Sequence, residues 1–154
     1  MDQKTLLFLL DGDRVLLGVK KSGFGNGRLV GIGGKIEKGE TSLQATIREA
    51  EEEIKIIASN LSKRASLTFQ FPHIPDRSWD QKVHVFTSTT WSGRPVETEE
   101  IKPVWTQIPK IPMNKMWDDA QYWLHAVLSG KKLTGKFIFD QNLKVQKCSL
   151  SILK

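Results

Sequence analysis

The sequence has little cysteine, no long apolar run and no block of basic residues. Its one cysteine, Cys148, excludes an internal disulfide framework and a cysteine-rich metal site, and is typical of a reducing compartment. No apolar run approaches the roughly 20 residues that span a bilayer, and residues 1–10 lack both a basic segment and a small-residue cleavage site. We therefore expect a cytoplasmic protein that does not bind a membrane.

The net charge of +6 is spread along the chain. Lysine and arginine lie at both ends around an acidic middle, and no basic amphipathic helix is present to bind a nucleic acid polymer. This distribution suits a pocket for a polyphosphate, and scattered surface lysine explains it equally well. The length and composition predict one domain over residues 1–154. We favour a monomer, although the sequence does not fix the oligomeric state.

Hydrophobic patterns and turn residues predict an α/β fold with a mixed sheet between two helices, an α/β/α sandwich. The continuous apolar run 5–10 predicts a strand buried on both faces, and Pro103 predicts that its strand lies at a sheet edge. A glycine loop covers residues 22–27. The predicted strands are 5–10, 14–19, 29–32, 65–71, 83–90, 101–107, 137–139 and 143–150, and the predicted helices are 41–55 and 118–129.

The first helix begins with a capping box, because Gln44 follows Thr41 by three residues. Apolar residues at spacings of three and four predict one stripe that packs on the sheet while the glutamates face elsewhere. The predicted stripe consists of Leu43, Ile47, Ala50, Ile54 and Ile57.

Three glutamates of this helix, Glu49, Glu52 and Glu53, are spaced so that their carboxylates project from one face and converge. Crowded like charges destabilise a helix unless a cation lies between them, and carboxylate oxygens favour Mg²⁺, with Mn²⁺ as an alternative. The alternative is an acidic face exposed to water. Arg48 keeps its charge and is suited to bracing a glutamate, with Glu40 as the expected partner.

Six positions of this segment have the identities and spacing of the Nudix signature, so the chain resembles the Nudix hydrolases; they are Gly34, Glu40, Arg48, Glu49, Glu52 and Glu53. Two positions depart from the family pattern. Ala50 replaces a bulky aliphatic residue, which indicates a slightly looser core. Lys55 replaces the glycine that follows the helix, which predicts a helix end without a left-handed glycine.

Outside the signature the chain is similar to the 8-oxo-dGTP diphosphatases, the branch of the family that hydrolyses oxidised purine nucleoside triphosphates. The similarity runs nearly end to end and includes Arg14–Gly18, Gly23–Gly25, Val83–Phe86 and Tyr122–Trp123. It implies a small-molecule nucleoside triphosphate as substrate. It also implies cleavage between the α- and β-phosphates to a monophosphate and pyrophosphate, and a role in sanitising the nucleotide pool.

The resemblance also implies site residues. The catalytic set is Arg48, Glu49, Glu52 and Glu53, and the metal set is Gly33, Glu49, Glu52, Glu53 and Glu100. The substrate set is Thr5, Lys20, Phe24, Val30, Gly33, Gly34, Lys35, Phe69, Trp117 and Asp119. A glycine such as Gly33 leaves its backbone carbonyl accessible to a metal. The resemblance does not indicate which glutamate acts as the general base.

Some of these residues have a structural alternative. Trp117 is suited to stacking on a purine, or is an ordinary core aromatic. Asp119 is suited to hydrogen bonding with the edge of the base, or caps the second helix. His84 lies in an alternating strand and is expected to be structural rather than catalytic.

Two departures bear on the choice of substrate. The branch has an asparagine at the position of Val30 and a second aspartate at the position of Ala120. In this chain Asp118, next to Asp119 on its other side, is the candidate substitute for that second aspartate. The loss of both polar groups predicts weaker or different discrimination between bases. Two other functions remain open: hydrolysis of another nucleoside diphosphate-linked substrate, such as a dinucleoside polyphosphate or nucleotide sugar, and nucleotide binding without catalysis.

Overall fold

The computed structural model of the protein describes residues 1–154 and contains eleven strands and two helices. The strands are β1 Asp2–Asp11, β2 Arg14–Lys20, β3 Leu29–Val30, β4 Ile32–Lys35, β5 Ile57–Ser59, β6 Ser62–Gln70, β7 Gln81–Ser88, β8 Thr90–Ser92, β9 Ile101–Gln107, β10 Lys132–Phe139 and β11 Val145–Leu153. The helices are α1 Ser42–Ile54 and α2 Ala120–Leu128. Neither helix is long and apolar enough to cross a membrane.

Nine strands form one mixed sheet, which confirms the predicted fold class. The main path runs β11-β10-β6-β7-β1-β2-β3, while β4 pairs with β1 and β9 pairs with β2. The pairs β1–β7 and β6–β10 are parallel and the other pairs are antiparallel. As predicted, β9, which contains Pro103, is an edge strand. The remaining strands, β5 and β8, form a separate two-stranded sheet that the sequence patterns did not predict.

The first strand supplies side chains to both hydrophobic cores. Leu7 and Leu9 belong to the core beneath α1, and Phe8 belongs to the core beneath α2. All three side chains are fully buried. Because successive residues of a strand point to opposite faces, this arrangement explains the continuous apolar run and confirms a strand buried on both faces.

Helix α1 begins as predicted, but the predicted stripe is only partly correct, because Ala50 and Ile54 are buried, Leu43 is not, and Ile57 lies beyond the helix on β5. Leu43 and Ile57 are 43% and 53% exposed. The buried residues of the helix are Ala45, Thr46, Ala50, Glu53 and Ile54. Small side chains let the helix lie close to the sheet, and the hydroxyl of Thr46 is hydrogen-bonded to that of Thr5 on β1. The face that packs on the sheet therefore includes one of the three glutamates, contrary to expectation.

The two ends of α1 differ in backbone strain. At the N-terminus both bonds of the capping box are present, since the Thr41 hydroxyl accepts from Gln44 N–H and the Gln44 side chain accepts from Thr41 N–H. At the C-terminus Lys55 adopts the left-handed conformation, with φ of 61° and ψ of 37°. The helix thus ends in the conformation that favours glycine, although the residue there is lysine.

The extended piece predicted for residues 29–32 is two strands, because the chain changes its pairing partner at Gly31. Strand β3 pairs with β2, whereas β4 pairs with β1. Gly31 lies against the ring of Phe8, and a β-carbon there would lie 2.8 Å from Phe8 Cζ. Strand β4 thereby leads directly into the loop before α1.

We expect Lys55→Gly to raise the free energy of unfolding by about 1 kcal/mol, because glycine adopts the left-handed conformation without a β-carbon clash. Urea denaturation measures the change. Lys55→Ala is the matched control, since it removes the same side chain but keeps the clash, and its stability should not rise. Equal stabilities of the glycine and alanine variants would contradict this explanation.

Candidate active site

A cavity of about 380 Å³ opens between β1, β4, the loop after β2 and the start of α2. Its size is within the range of pockets that hold small organic ligands. The structure places every residue of the predicted substrate set in its lining: Thr5, Lys20, Phe24, Val30, Gly33, Gly34, Lys35, Phe69, Trp117 and Asp119. Glu53, Glu100 and Ala120 also line the cavity.

Arg48 organises the acidic helix beside this cavity. Its Nε and Nη2 donate to the two oxygens of Glu40 at 2.7 and 2.8 Å, which is the predicted pairing in bidentate form. Its Nη1 donates to Glu49 at 2.9 Å and to Glu52 at 3.1 Å, and Nη2 also donates to the carbonyl of Lys35 at 3.0 Å. The guanidinium thus joins α1 to the loop that precedes it.

The three glutamates do not form a ready-made carboxylate cage. No three acidic, histidine or cysteine side chains are grouped so as to hold a metal ion. The side chain of Glu52 is 61% exposed and turns to Arg48, while that of Glu49 is 14% exposed. Arg48 is the cation that separates Glu49 from Glu52, which relieves the repulsion expected between them.

Glu53 has the most unusual environment of the three. It is only 6% exposed, and its Oε2 atom is buried without a hydrogen-bond partner. The pKa of Glu53 is raised to about 8, chiefly by burial and then by the charges of Glu49 and Glu100, while Lys20 and the backbone of Gly33 oppose this rise. A buried oxygen of this kind requires a ligand, either a proton or a cation.

Burial also raises the pKa of Glu49, and the nearby Glu52 and Glu100 add to this effect, while Arg48 opposes it. Glu100 is held at the end of a turn by its carbonyl, which accepts from Lys21 N–H at 2.9 Å. Glu49, Glu53 and Glu100 therefore share one electrostatic environment, although they come from two distant parts of the chain.

Two glycines of β4 make close contacts on different sides of the strand. A β-carbon at Gly34 would lie 2.6 Å from the carboxylate carbon of Glu49. At Gly33 it would lie 1.8 Å from the carbonyl oxygen of Thr5 on β1. Any other residue at either position would displace a neighbour, so Gly34 lets the strand approach the Glu49 carboxylate and Gly33 lets it pack against β1.

Aromatic side chains line the other side of the cavity. Phe24 stacks on Trp117 with ring centroids 5.2 Å apart and an interplanar angle of 14°, and Trp79 contacts Phe24 edge-on at 4.5 Å. The guanidinium of Arg28 lies 4.1 Å from the centre of the Trp117 ring. Trp117 is partly buried, packs against the core beneath α2 and lines the cavity.

Asp119 precedes α2 but makes no capping bond, so the alternative role as a helix cap is wrong. Its Oδ2 accepts from Trp123 Nε1 at 2.7 Å within the lining of the cavity. Burial raises the pKa of Asp119 to about 6. Asp118 does not replace the missing second carboxylate, because it accepts from Val145 N–H at 2.8 Å and points away from the cavity lining.

His84 lies outside the cavity. Its Nε2 is bonded to the side-chain oxygen of Gln3 at 2.7 Å and its Nδ1 to the ammonium of Lys63 at 2.8 Å. Burial, Lys63 and Lys82 lower the pKa of His84 to about 4, so the ring is neutral. Both ring nitrogens are occupied by neighbours in the sheet, which agrees with the structural role expected from the sequence.

Sequence reasoning missed three residues around the cavity. Lys4 lines it from β1, Trp79 comes from a short 3₁₀ turn at Arg77–Trp79 in the loop before β7, and Arg28 stacks on Trp117. Strand alternation would have found Lys4, which lies two residues before the partly buried Leu6 on the same face. Trp79 carries no periodic signal because it lies in an irregular loop.

Comparisons with known proteins identify the family of the chain. A family model described as the NUDIX domain matches residues 3–127. The chain is 38% identical over 146 residues to the oxidized purine nucleoside triphosphate hydrolase of Mus musculus, covering 95% of this chain and 92% of that protein. It is 38% identical over 136 residues to the protein of the same name from Danio rerio, covering 88% and 85%.

Among solved structures, a MutT protein from Bacillus halodurans superimposes with a TM-score of 0.83 at 23% identity, covering 98% of both chains. At this identity the likeness concerns the fold alone. The family model, by contrast, extends from the first strand into the second helix and includes Arg48, Glu49, Glu52 and Glu53. From this match and the identity to the two vertebrate proteins, we conclude that the chain belongs to the Nudix hydrolase family.

Proposed function

We propose that the protein is a Mg²⁺-dependent nucleoside triphosphate pyrophosphohydrolase that removes oxidised or otherwise modified purine nucleotides from the nucleotide pool. The observation that carries this proposal is the buried carboxylate of Glu53, which has an unpartnered oxygen and lies in the wall of the cavity. Trp117 and Asp119 line the same cavity at its aromatic end. This arrangement supplies an ion-binding carboxylate and a nucleoside pocket in one cavity. The names of the vertebrate relatives support the choice of substrate class.

The donor set suits a hard divalent cation. Glu53 offers an unpartnered oxygen, and the repulsion among Glu49, Glu53 and Glu100 is relieved by a positive charge. We assign Mg²⁺, with Mn²⁺ as the alternative, to Glu49, Glu52 and Glu53, with Glu100 and the Gly33 carbonyl as further ligands. When bound, the ion neutralises phosphate charge and lowers the pKa of a coordinated water.

Side chains of the protein then position the carboxylates and accept a proton. Arg48 holds Glu49 and Glu52 in position and itself stays charged, because its hydrogen bonds to Glu40 and Glu49 raise its pKa further, against the opposing effect of burial. A carboxylate of α1 accepts the proton of the attacking water. Attack of this water breaks the anhydride bond between the α- and β-phosphates, and the products are a monophosphate and pyrophosphate.

The nucleoside end of the cavity has one carboxylate for the edge of a base. Asp119 is buried there, while Val30 and Ala120 contribute apolar surface. An apolar pocket discriminates weakly between bases that differ by a polar group, whereas a pocket with matched hydrogen-bonding groups discriminates strongly. We therefore propose that the pocket discriminates less between oxidised and normal purines than one that also has polar groups at positions 30 and 120.

We expect Glu53→Gln to lower kcat at least about a hundredfold, because the amide removes both the charge and a ligand oxygen. Pyrophosphate release in the presence of Mg²⁺ measures the effect. The matched control is Glu51→Gln, which changes an exposed glutamate of the same helix and should leave kcat within about twofold. Unchanged turnover in Glu53→Gln would rule out the acidic helix as the reaction centre.

The same substitution should stabilise the metal-free protein at high pH. The folded-state pKa of Glu53 is about 8 and its reference value is 4.5, so between these values the folded state retains a proton that the unfolded state has lost. Its contribution to stability therefore falls as pH rises through this window. In EDTA, Glu53→Gln should become more stable than wild type by on the order of 3 kcal/mol at pH 8.5 and not at pH 4.5.

Urea denaturation at the two pH values tests this expectation. Glu51→Gln again serves as the control, because Glu51 is exposed and its substitution should give no pH-dependent gain. A stability difference between Glu53→Gln and wild type that does not change with pH would show that the Glu53 carboxyl titrates normally.

A panel of triphosphates with Mg²⁺ tests the pocket. We expect 8-oxo-dGTP and dGTP to differ by less than about tenfold in kcat/KM for wild type, and the Val30→Asn, Ala120→Asp double variant to increase that difference. A preference of several hundredfold for 8-oxo-dGTP over dGTP in wild type would contradict the proposal that Val30 and Ala120 weaken discrimination between bases. Higher activity on dinucleoside polyphosphates or nucleotide sugars would favour the other nucleoside diphosphate-linked substrates.

A further inference from the structure

Gln81 is a buried polar side chain in the wall of the cavity that the proposed reaction does not use. It is the first residue of β7 and is only 6% exposed. The cavity residues beside it on the same face of the sheet, Phe69 and Val83, are apolar. An amide in such surroundings lowers stability unless its polar atoms are hydrogen-bonded, so both ends of this amide require a partner.

One end of the amide already has its partner. Gln81 Nε2 donates to the backbone carbonyl of Trp79 at 3.0 Å, and because a carbonyl can only accept, the amide oxygen is directed away from it. No group of the protein donates to this oxygen, Oε1. The one side-chain polar atom that is both sealed from solvent and unpartnered is Oε2 of Glu53, so Gln81 Oε1 keeps accessible surface. The structure thus leaves an acceptor open to a ligand.

The place of Gln81 in the sheet puts its side chain at the aromatic end of the cavity. It is directly opposite Phe69 in the pairing of β6 with β7, and side chains at opposite positions lie next to each other on one face. Trp79, which holds the amide, contacts Phe24 edge-on at 4.5 Å and has its ring centroid 6.2 Å from that of Trp117. The open acceptor therefore belongs to the end of the cavity that we assign to the base.

We propose that Gln81 is a specificity-determining residue whose Oε1 accepts a hydrogen bond from an N–H group of a purine base. This inference rests on the proposed function for the presence of a purine in the cavity. Purines with a ring N–H or an amino group supply the donor, whereas the base of an unsubstituted purine nucleoside has none. A site built to accept from an N–H group binds an analogue without that group less tightly, because the buried acceptor is then left unpaired.

Binding measured by isothermal titration calorimetry in EDTA tests this assignment without turnover. The probes are 8-oxo-dGTP, which has N–H groups on both edges of its base, and the deoxynucleoside triphosphate of unsubstituted purine, which has none. We expect Gln81→Met, which keeps the length of the side chain and removes the amide, to weaken 8-oxo-dGTP about tenfold. The same substitution should leave the affinity for the unsubstituted purine nucleotide within about twofold.

A role confined to anchoring the turn at Trp79 predicts a different result. Loss of the anchor alone would weaken both nucleotides equally, and that outcome would overturn the assignment, as would no weakening of either. Gln81→Asn is a second variant, since it keeps the amide but withdraws it by one methylene, and it should show the same selective loss. The matched control is Gln107→Met, at an exposed glutamine of β9, which should change neither affinity.

The same measurements separate this inference from the proposed function. If wild type binds neither nucleotide, the purine pocket and the role of Gln81 both fail. If wild type binds both nucleotides but releases no pyrophosphate with Mg²⁺, the proposed reaction fails, while the ratio of the two affinities in Gln81→Met still decides the role of Gln81.

Discussion

The site depends on one guanidinium group. Arg48 holds Glu40 with two bonds, contacts Glu49 and Glu52 with a third nitrogen, and bonds to the Lys35 carbonyl. Without this cation the carboxylates on one face of α1 would repel one another and the preceding loop would lose its anchor to the helix. The interaction thus fixes the helix relative to β4, and through β4 it fixes the glycines that allow the strand to approach.

The same helix produces a second constraint, which is the burial of a carboxylate. Thr46 and Ala50 let α1 approach the sheet closely, and this approach buries Glu53 on the face that packs against the strands. The cost of that burial is seen in its raised pKa. A carboxylate kept buried at the edge of a cavity lowers stability, and perturbed carboxylates of this kind cluster at functional sites.

Sequence patterns predicted much of the fold, but they did not predict close approaches between distant segments. The capping box followed from residue spacing, the edge position of β9 from Pro103, and the burial of both faces of β1 from its continuous apolar run. The stripe on α1 was partly wrong, because Leu43 is exposed at the start of the helix and Ile57 lies beyond its end on strand β5. Strands β5 and β8 were missed because three-residue strands carry too little alternation to be distinguished from turns.

The sequence by itself determined the acidic face, the Arg48–Glu40 pair and most of the residues that meet around the cavity, because fixed spacing on a helix and similarity to a family carry that information. Tertiary structure alone decided that Glu53 is buried while Glu52 is exposed, although both lie on the same acidic face. It also decided that Asp119 bonds to Trp123 while Asp118 turns away, and that Lys4 lies beside Phe24. Burial and partner choice depend on which distant segment packs against a side chain, and local sequence does not contain that contact.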